Sequence, residues 1–400
     1  MLTGYPRADG RKGIRNILAV AYLVECARHV AQEIAGSFRN EPVHLVGFSG
    51  CYPSPYAQRM MQRICTHPNV GAVLLVSLGC ESFPREALAE AIQQSGRPVE
   101  ILVIQQAGGT SRSIQQGQTW VRQTLQELRG AKRVPMGIQE LVVGTICGGS
   151  DATSGLTANP ACGYAFDLLL QAGATCIFEE TGELIGCEHF LAQRAMNPQV
   201  AEQLIQAVQK AARYYKAYGH ASFASGNAEG GLTTIEEKSL GAYSKTGRSP
   251  ITGYLKPGQL PGGPGLYLMD LVPDGPPMWG FPNICDNAEI AELIACGVHL
   301  SLFTTGLGSV VGSAIAPVLK VCANPDTYRR MSEDMDINAG RILEGQATLE
   351  QVGREIYERT LAVASGQPTA SERLGHQEFI LTYKHFSWEV PGPVLCRQTD

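Results

Sequence analysis

The chain has no stretch long and apolar enough to cross a membrane. Its longest apolar runs, 16–26 and 72–78, fall far short of the roughly 20 residues a spanning helix needs. The opening MLTGYPRADGRKGIRN lacks an uninterrupted apolar core, so it does not read as a secretory signal. An excess of positive charge is also missing: 32 Lys and Arg stand against 37 Asp and Glu, a net charge of −5, without a long run of one sign. That balance argues against broad binding of a nucleic-acid backbone, although one local basic pocket is compatible with it. Charged residues make up only 17% and apolar residues 44%, a composition that folds rather than stays disordered. The 12 cysteines form no C-x-x-C pair and no secreted disulfide framework, which suits a reducing cytoplasm. Internal repeats and low-complexity tracts are absent.

Glycine is what the chain has in quantity, 45 residues, most of them where strands would end. In the first third, NILAVAYLV (16–24), VHLVGFSG (43–50), AVLLVSLG (72–79) and VEILVIQQ (99–106) read as strands. Helical patterns at 25–36, 55–66, 84–95 and 110–128 follow them in turn, which predicts a parallel sheet covered by helices. AKRVPMG (131–137) reads as a boundary. A second α/β stretch follows, with strands at 141–149, 175–180, 265–271 and 298–303 and helices at 160–172 and 197–217. Residues 245–283, dense in Gly and Pro, read as long loops; 347–364 reads as a closing helix and 370–400 as a loosely packed tail. The expected fold class is therefore α/β, with two parallel-sheet domains at 1–134 and 135–345 and a helical C-terminal extension at 346–400. Four hundred residues accommodate two such domains.

Ligands on parallel sheets bind beyond the carboxyl ends of the strands, so those turns hold the candidate chemistry. Cys51, Cys80 and Cys147 each sit beside glycine at a strand end. Three thiolates there would suit a single ferrous ion, or an iron–sulfur cluster with one iron open to substrate. The plainer reading is buried cysteine as a small hydrophobe. Ser150 and Asp151 continue the Cys147 turn and offer an anion nest or an ordinary helix cap. Gly108, Gly109 and Thr110 open a helix after a strand, and Thr304 and Thr305 lie at another strand end; both turns suit an acid group without matching a nucleotide motif. Arg11 and Arg15 stand in a cluster with Arg7 and Lys12, fit either to clamp a dianion or to face solvent. Glu188 and His189, close after Glu179 and Glu180, are candidate acid, base or metal-binding groups. Lys238 follows a glycine loop and reads as a base, a carboxylate clamp, or part of a helix start with a T-x-x-E capping box.

Several strings together resemble the UxaA-type lyase family: GYPRADGRKGIRN (4–16), THPNVGAVLLVSLGCE (66–81), CGGSDATSGLTANPACG (147–163), EETGELIGCEH (179–189), SGNAEGGLTTIEEKSLG (225–241), LFTTGLGS (302–309) and DINAG (336–340). That family includes altronate and galactarate dehydratases and the large subunit of (2R)-sulfolactate sulfo-lyase. The resemblance implies a β-elimination that turns a small 2-hydroxy acid into a 2-oxo acid, with loss of water or sulfite and with divalent iron or a similar metal. The opening segment is more similar to the sulfo-lyase large subunit. A sulfo-lyase reading implies a separate small subunit, and an oligomer is expected. On the family's terms Cys51, Cys80 and Cys147 lie near the metal, His189 or Lys238 is the base with Glu188 beside it, and Arg11 and Arg15 grip the acid groups. A non-catalytic binding subunit of such a complex is the reading from a different class.

Overall fold

A computed structural model describes residues 2–217, 219, 222, 224–274, 284–382 and 384. Fourteen strands occur among them: β1 (Leu2–Pro6), β2 (Lys12–Gly13), β3 (Ile17–Tyr22), β4 (Val43–Gly47), β5 (Val70–Ser77), β6 (Val99–Val103), β7 (Val134–Met136), β8 (Val142–Cys147), β9 (Thr175–Phe178), β10 (Ile251–Leu255), β11 (Gly265–Met269), β12 (Leu300–Thr305), β13 (Val318–Cys322) and β14 (Ile337–Asn338). Eleven of them build a four-stranded parallel sheet in the order β4-β3-β5-β6 and a seven-stranded parallel sheet in the order β10-β11-β9-β8-β12-β13-β14, and the other three form a small antiparallel sheet, β2-β1-β7. The class is α/β, as the alternation of apolar runs and helical patterns implied.

The strands are apolar on both faces because helices cover both faces. All eight residues of β5, VGAVLLVS, are buried. One face of the first sheet packs under helices Arg28–Gly36 and Thr110–Arg129, with Leu18, Leu74, Ile34 and Val121 in that core. Its other face shares a core with the second sheet, where helix Pro55–Cys65 lies on helix Asp286–Ala295. Helices Ala158–Gln171 and Leu349–Ala364 cover the far face of the second sheet. Each fully buried Leu, Val or Phe in these layers contributes roughly 1.5–3 kcal/mol relative to exposure.

Two local expectations change. Within the Gly/Pro-rich span 245–283 the strand expected at 265–271 is present as Gly265–Met269, and a strand the sequence did not mark, Ile251–Leu255, pairs with it in parallel; residues 275–283 lie outside the described residues. The tail is not loose where it is described. Helix Ala370–Leu374 starts with a Thr369–Glu372 capping box, and Lys384 forms a fully buried ion pair with Glu292 at 2.7 Å. Glu292 also accepts from the Tyr56 hydroxyl at 2.5 Å, so helix Pro55–Cys65, helix Asp286–Ala295 and the tail meet at one carboxylate.

Candidate functional site

At the carboxyl edge of the second sheet, a cavity of about 230 Å³ opens between the loops after β8, β9 and β12. Cys147, Ser150, Glu180, Glu183, Asn227, Lys238, Asp286 and Glu289 contribute to its wall. Glycine makes the closeness possible: a Cβ on Gly148 would stand 2.4 Å from Asp286 Oδ2 and from the Phe303 ring. Glu180 has φ 69° and ψ 44°, the one non-glycine residue in the left-handed region among the described residues. That conformation costs an L-residue about 1–2 kcal/mol and persists only where neighbours enforce it. Here they do: the Cys147 N–H donates to Oε1 at 2.9 Å, Lys245 donates to Oε2, and the Glu183 N–H donates to the Glu180 carbonyl at 2.7 Å.

Charge is concentrated around that turn. Lys238 pairs with Glu183 at 2.6 Å and donates to Asn227 Oδ1 at 3.2 Å, while Asn227 in turn donates to the Ser150 carbonyl at 3.0 Å. The Cys147 thiol donates to Glu183 at 3.0 Å and lies 3.4 Å from the Ser150 hydroxyl. Burial works to raise the Glu183 pKa, but Lys238 and Lys245 outweigh it and hold this carboxyl below its ordinary range. Burial and the neighbouring Glu183 charge push Glu180 up to about 7. Burial, then Glu289, pushes Glu179 well above the carboxylate range; burial, then Glu180, does the same to Glu289. Burial opposes the charge on Lys238, yet Glu183 raises its pKa to about 12, so it stands as an ammonium ion. Five carboxyl groups thus share two lysines around this turn, and Lys384 is committed to Glu292.

A cation fits this deficit. Cys147, Glu180 and Glu183 each place a ligand atom within 4.8 Å of the others, and so do Glu179, Glu180 and Glu289. In the second group, Glu179 Oε1 is buried with no hydrogen-bond partner, an uncompensated polar atom of the kind a bound ion satisfies. The network extends to Asp270 after β11, whose Oδ1 accepts from Thr181 at 3.2 Å. Burial would raise Asp270, but Lys210 and Lys256 hold it below the ordinary range.

The residues marked in the sequence divide sharply. Cys147, Ser150 and Lys238 line the cavity. Cys51 and Cys80 are exposed at the carboxyl edge of the other sheet, and among the described residues no group of ligand atoms within 4.8 Å joins them to Cys147. Gly108 and Gly109 (φ 90° and 96°) and Thr110 also belong to the first sheet, where they turn the chain into a helix. Asp151 is buried and fully engaged, accepting from Thr153 N–H and hydroxyl, Ser154 and Asn324, so it locks loops together. A Cβ at Gly306 would collide with it at 2.1 Å. Thr304 and Thr305 support the same loops, the Thr304 carbonyl accepting from Gly148 N–H at 3.0 Å and the Thr305 hydroxyl from Gly308 N–H at 2.9 Å.

His189 is exposed and outside the cavity wall, with Glu188 beside it at the start of helix Glu188–Gln193. Arg15 is spent on Glu372 (2.6 Å) and on the carbonyls of Ile14, Val363 and Gln367. Arg11 binds Asp9 and the Thr66 carbonyl, both at 2.7 Å. Neither arginine lines the cavity, because backbone carbonyls left by loop ends already use their guanidinium donors. Lys245, Glu183, Asp286 and Glu289 were missed. Glu289 carried one signal: it and Glu292 are the two acids in the otherwise apolar helix string AEIAELIA, where a buried acid needs a reason.

A parallel α/β scaffold with acids, lysines and a thiol converging at a strand-end cavity defines an enzyme of the acid–base or cation-assisted kind. Sequence comparison agrees. Residues 4–129 match the family described as D-galactarate dehydratase/altronate hydrolase, second domain, and residues 138–387 match D-galactarate/altronate dehydratase, C-terminal. The (2R)-sulfolactate sulfo-lyase subunit beta of Chromohalobacter salexigens is 34% identical, across 95% of this chain and 96% of its own. The galactarate dehydratase (L-threo-forming) of Escherichia coli is 33% identical, across 93% of this chain and 74% of its own. The altronate dehydratase of Bacillus subtilis is 30% identical, across 94% and 76%. The chain belongs to this D-galactarate/altronate dehydratase family and is a lyase.

Proposed function

We propose that the chain catalyses metal-assisted β-elimination from a small 2-hydroxy carboxylate to a 2-oxo acid, with (2R)-sulfolactate as substrate and sulfite as leaving group. The observation that carries the elimination is the cavity wall itself. A proton beside an ionised carboxylate leaves only if the second negative charge is tolerated, and this wall offers both fixed cations and a place for one more. Glu179, Glu180 and Glu289 would hold a divalent ion such as iron, which when bound supplies Lewis-acid stabilisation of the enolate. Lys238 meets the substrate as a cation and grips an acid group, and Asn227 holds Nζ in place. Lys245 donates to the Glu180 carboxyl and opposes the upward shift that burial imposes on it.

The sulfo-lyase reading is favoured because the relative of that name matches over nearly the whole of both chains. That relative is named a subunit, so we place this chain in a complex with a small partner subunit. The cysteine-rich composition suits the cytoplasm. The second reading is a hydro-lyase acting on altronate or galactarate, supported by the two dehydratase relatives. Incubating the chain, with and without its small partner, with sulfolactate, altronate and galactarate separates them. Sulfite with pyruvate is expected from sulfolactate alone; a 2-oxo acid from a sugar acid without sulfite would overturn the assignment. Lys238→Arg is expected to keep most of the turnover and Lys238→Met to lose roughly 10²-fold or more. Equal loss in both would make Lys238 the base rather than the clamp.

A further inference from the structure

The elimination needs a group that takes the proton from C2, and most polar side chains of the cavity wall are already engaged. Glu180 is held by the Cys147 N–H and by Lys245, and Glu183 by Lys238 and the Cys147 thiol. Burial pushes the Cys147 thiol well above its ordinary pKa, which leaves it protonated. Glu179 and Glu289 are buried within the group of carboxyls that suits a cation. Asp286 differs on each count. It opens helix Asp286–Ala295, lines the cavity and is partly exposed. No ion pair or hydrogen bond joins its carboxyl to another described residue; its own backbone N–H alone serves it. The turn after β8 is cleared beside it, since a Cβ on Gly148 would stand 2.4 Å from Oδ2. An acid at this position also complements the positive end of the helix, but that role requires neither a glycine opposite nor a cavity in front.

We propose that Asp286 is the general base of the elimination, its carboxylate taking the C2 proton of a 2-hydroxy acid that Lys238 grips. The assignment deepens the elimination reading and rests on it. As the C2–H bond breaks, its electron pair forms the C2–C3 double bond, and the C3–sulfur bond breaks with its pair leaving on sulfite. The resulting enol loses its hydroxyl proton and gains one at C3, which gives the 2-oxo acid. The proton on Asp286 passes to water or sulfite, and nothing is oxidised or reduced. Lys238 arrives on helix Ile235–Ser244 and Asp286 on helix Asp286–Ala295, so separate elements bring the cation and the base to one cavity. Burial, then Glu183, raises the Asp286 pKa above the ordinary carboxylate value, which strengthens it as a proton acceptor.

The test compares wild type, Asp286→Asn, Asp286→Glu and Asp286→Gly in the full chain with its small partner, on whichever of sulfolactate, altronate and galactarate the wild type turns over. Asp286→Asn is expected to lose roughly 10²–10⁴-fold in kcat with KM little changed, and Asp286→Glu to keep more turnover than Asp286→Asn. Formate, a small carboxylate able to stand in for the missing base, should restore part of the turnover of Asp286→Gly, a response that a merely structural acid would not give. Circular dichroism checks that each variant is folded; if Asp286→Gly is not, Asp286→Ala carries the rescue. A loss in Asp286→Asn below about tenfold, less than a general base supplies, would overturn the assignment. So would a rise in KM that accounts for the whole loss, or no response to formate. A wild type inactive on all three acids would sink the elimination reading and this assignment together, whereas an active wild type with an equally active Asp286→Asn sinks the assignment alone.

Discussion

At the carboxyl edge of the four-stranded sheet, Cys26, Cys51 and Cys80 stand in solvent. At the same edge of the seven-stranded sheet, Cys147 is 5% exposed and lies among carboxyl groups and lysines. Both edges arise from the same topological rule, yet one is an open rim of thiols and glycine turns and the other a closed electrostatic wall. The difference lies in the segment that leaves each strand. After β9 the chain folds back as Thr181–Leu184, and helix Ile235–Ser244 delivers Lys238 and Lys245 over it. After β4 and β5 the chain leaves directly into helices Pro55–Cys65 and Arg85–Gln94. A strand-end rule locates both edges; only the covering segments decide which can hold charge away from water.

The largest expected effect lies in the closed edge. Lys245→Met leaves the Glu180 and Glu183 carboxyl groups without their shared cation in a site 3% exposed, and should cost about 3–5 kcal/mol of stability. Urea denaturation measures it. A loss below about 1 kcal/mol would mean that water reaches the wall and the contrast with the open rim is false.

A somewhat smaller effect comes from the opposite, amino end of the same sheet. His299 accepts from Val142 N–H at 3.1 Å and donates from Nε2 to the Lys12 carbonyl at 2.9 Å. Burial lowers its pKa to about 4, below the ordinary imidazole value near 6.5. The unfolded chain therefore binds a proton that the folded chain refuses between those two values. Stability is complete above about pH 6.5 and falls by about 3 kcal/mol as the pH drops to 4. His299→Gln should flatten the pH slope of the denaturation midpoint over that window; an unchanged slope would assign the acid sensitivity to the neighbouring His67, whose pKa burial also lowers.

Arg15→Ala removes a bidentate pair with Glu372 and contacts to three carbonyls, so a stability loss of about 2 kcal/mol is expected with KM unchanged. A rise in KM at constant stability would return this arginine to the substrate. Smallest of all, Cys51→Ser in the metal-free chain should shift stability by no more than about 0.5 kcal/mol, as for other exposed positions. A larger loss would show that the rim is packed and not open.

Much of the frame was legible because it rests on periodic signals. The runs at 16–24, 43–50, 72–79 and 99–106 became β3 to β6 almost in register, and the Cys147 turn fell at a strand end as read. Strands β10 and β14 were not legible: five residues of ITGYL flanked by Gly and Pro carry no periodicity, and they are strands because β11 and β13 offer them an edge. The site was half legible. The segment 179–189 was marked, but its exposed end, Glu188 and His189, drew attention rather than Glu179, Glu180 and Glu183. Those three join a charged cluster only when Lys238, Lys245 and Glu289 arrive from 50 or more residues away. Arg11 and Arg15 looked like a clamp because charge near a glycine turn reads as available.

By itself the amino-acid order determined the α/β class, the strand ends where a ligand would sit and the family, since each depends on local pattern or on short strings. Which charges are paired, which thiols are exposed and which arginines are already bound was decided by tertiary structure alone. Those properties arise from burial and from distances between remote segments, and the free energy of a charge depends on them more than on its neighbours in sequence.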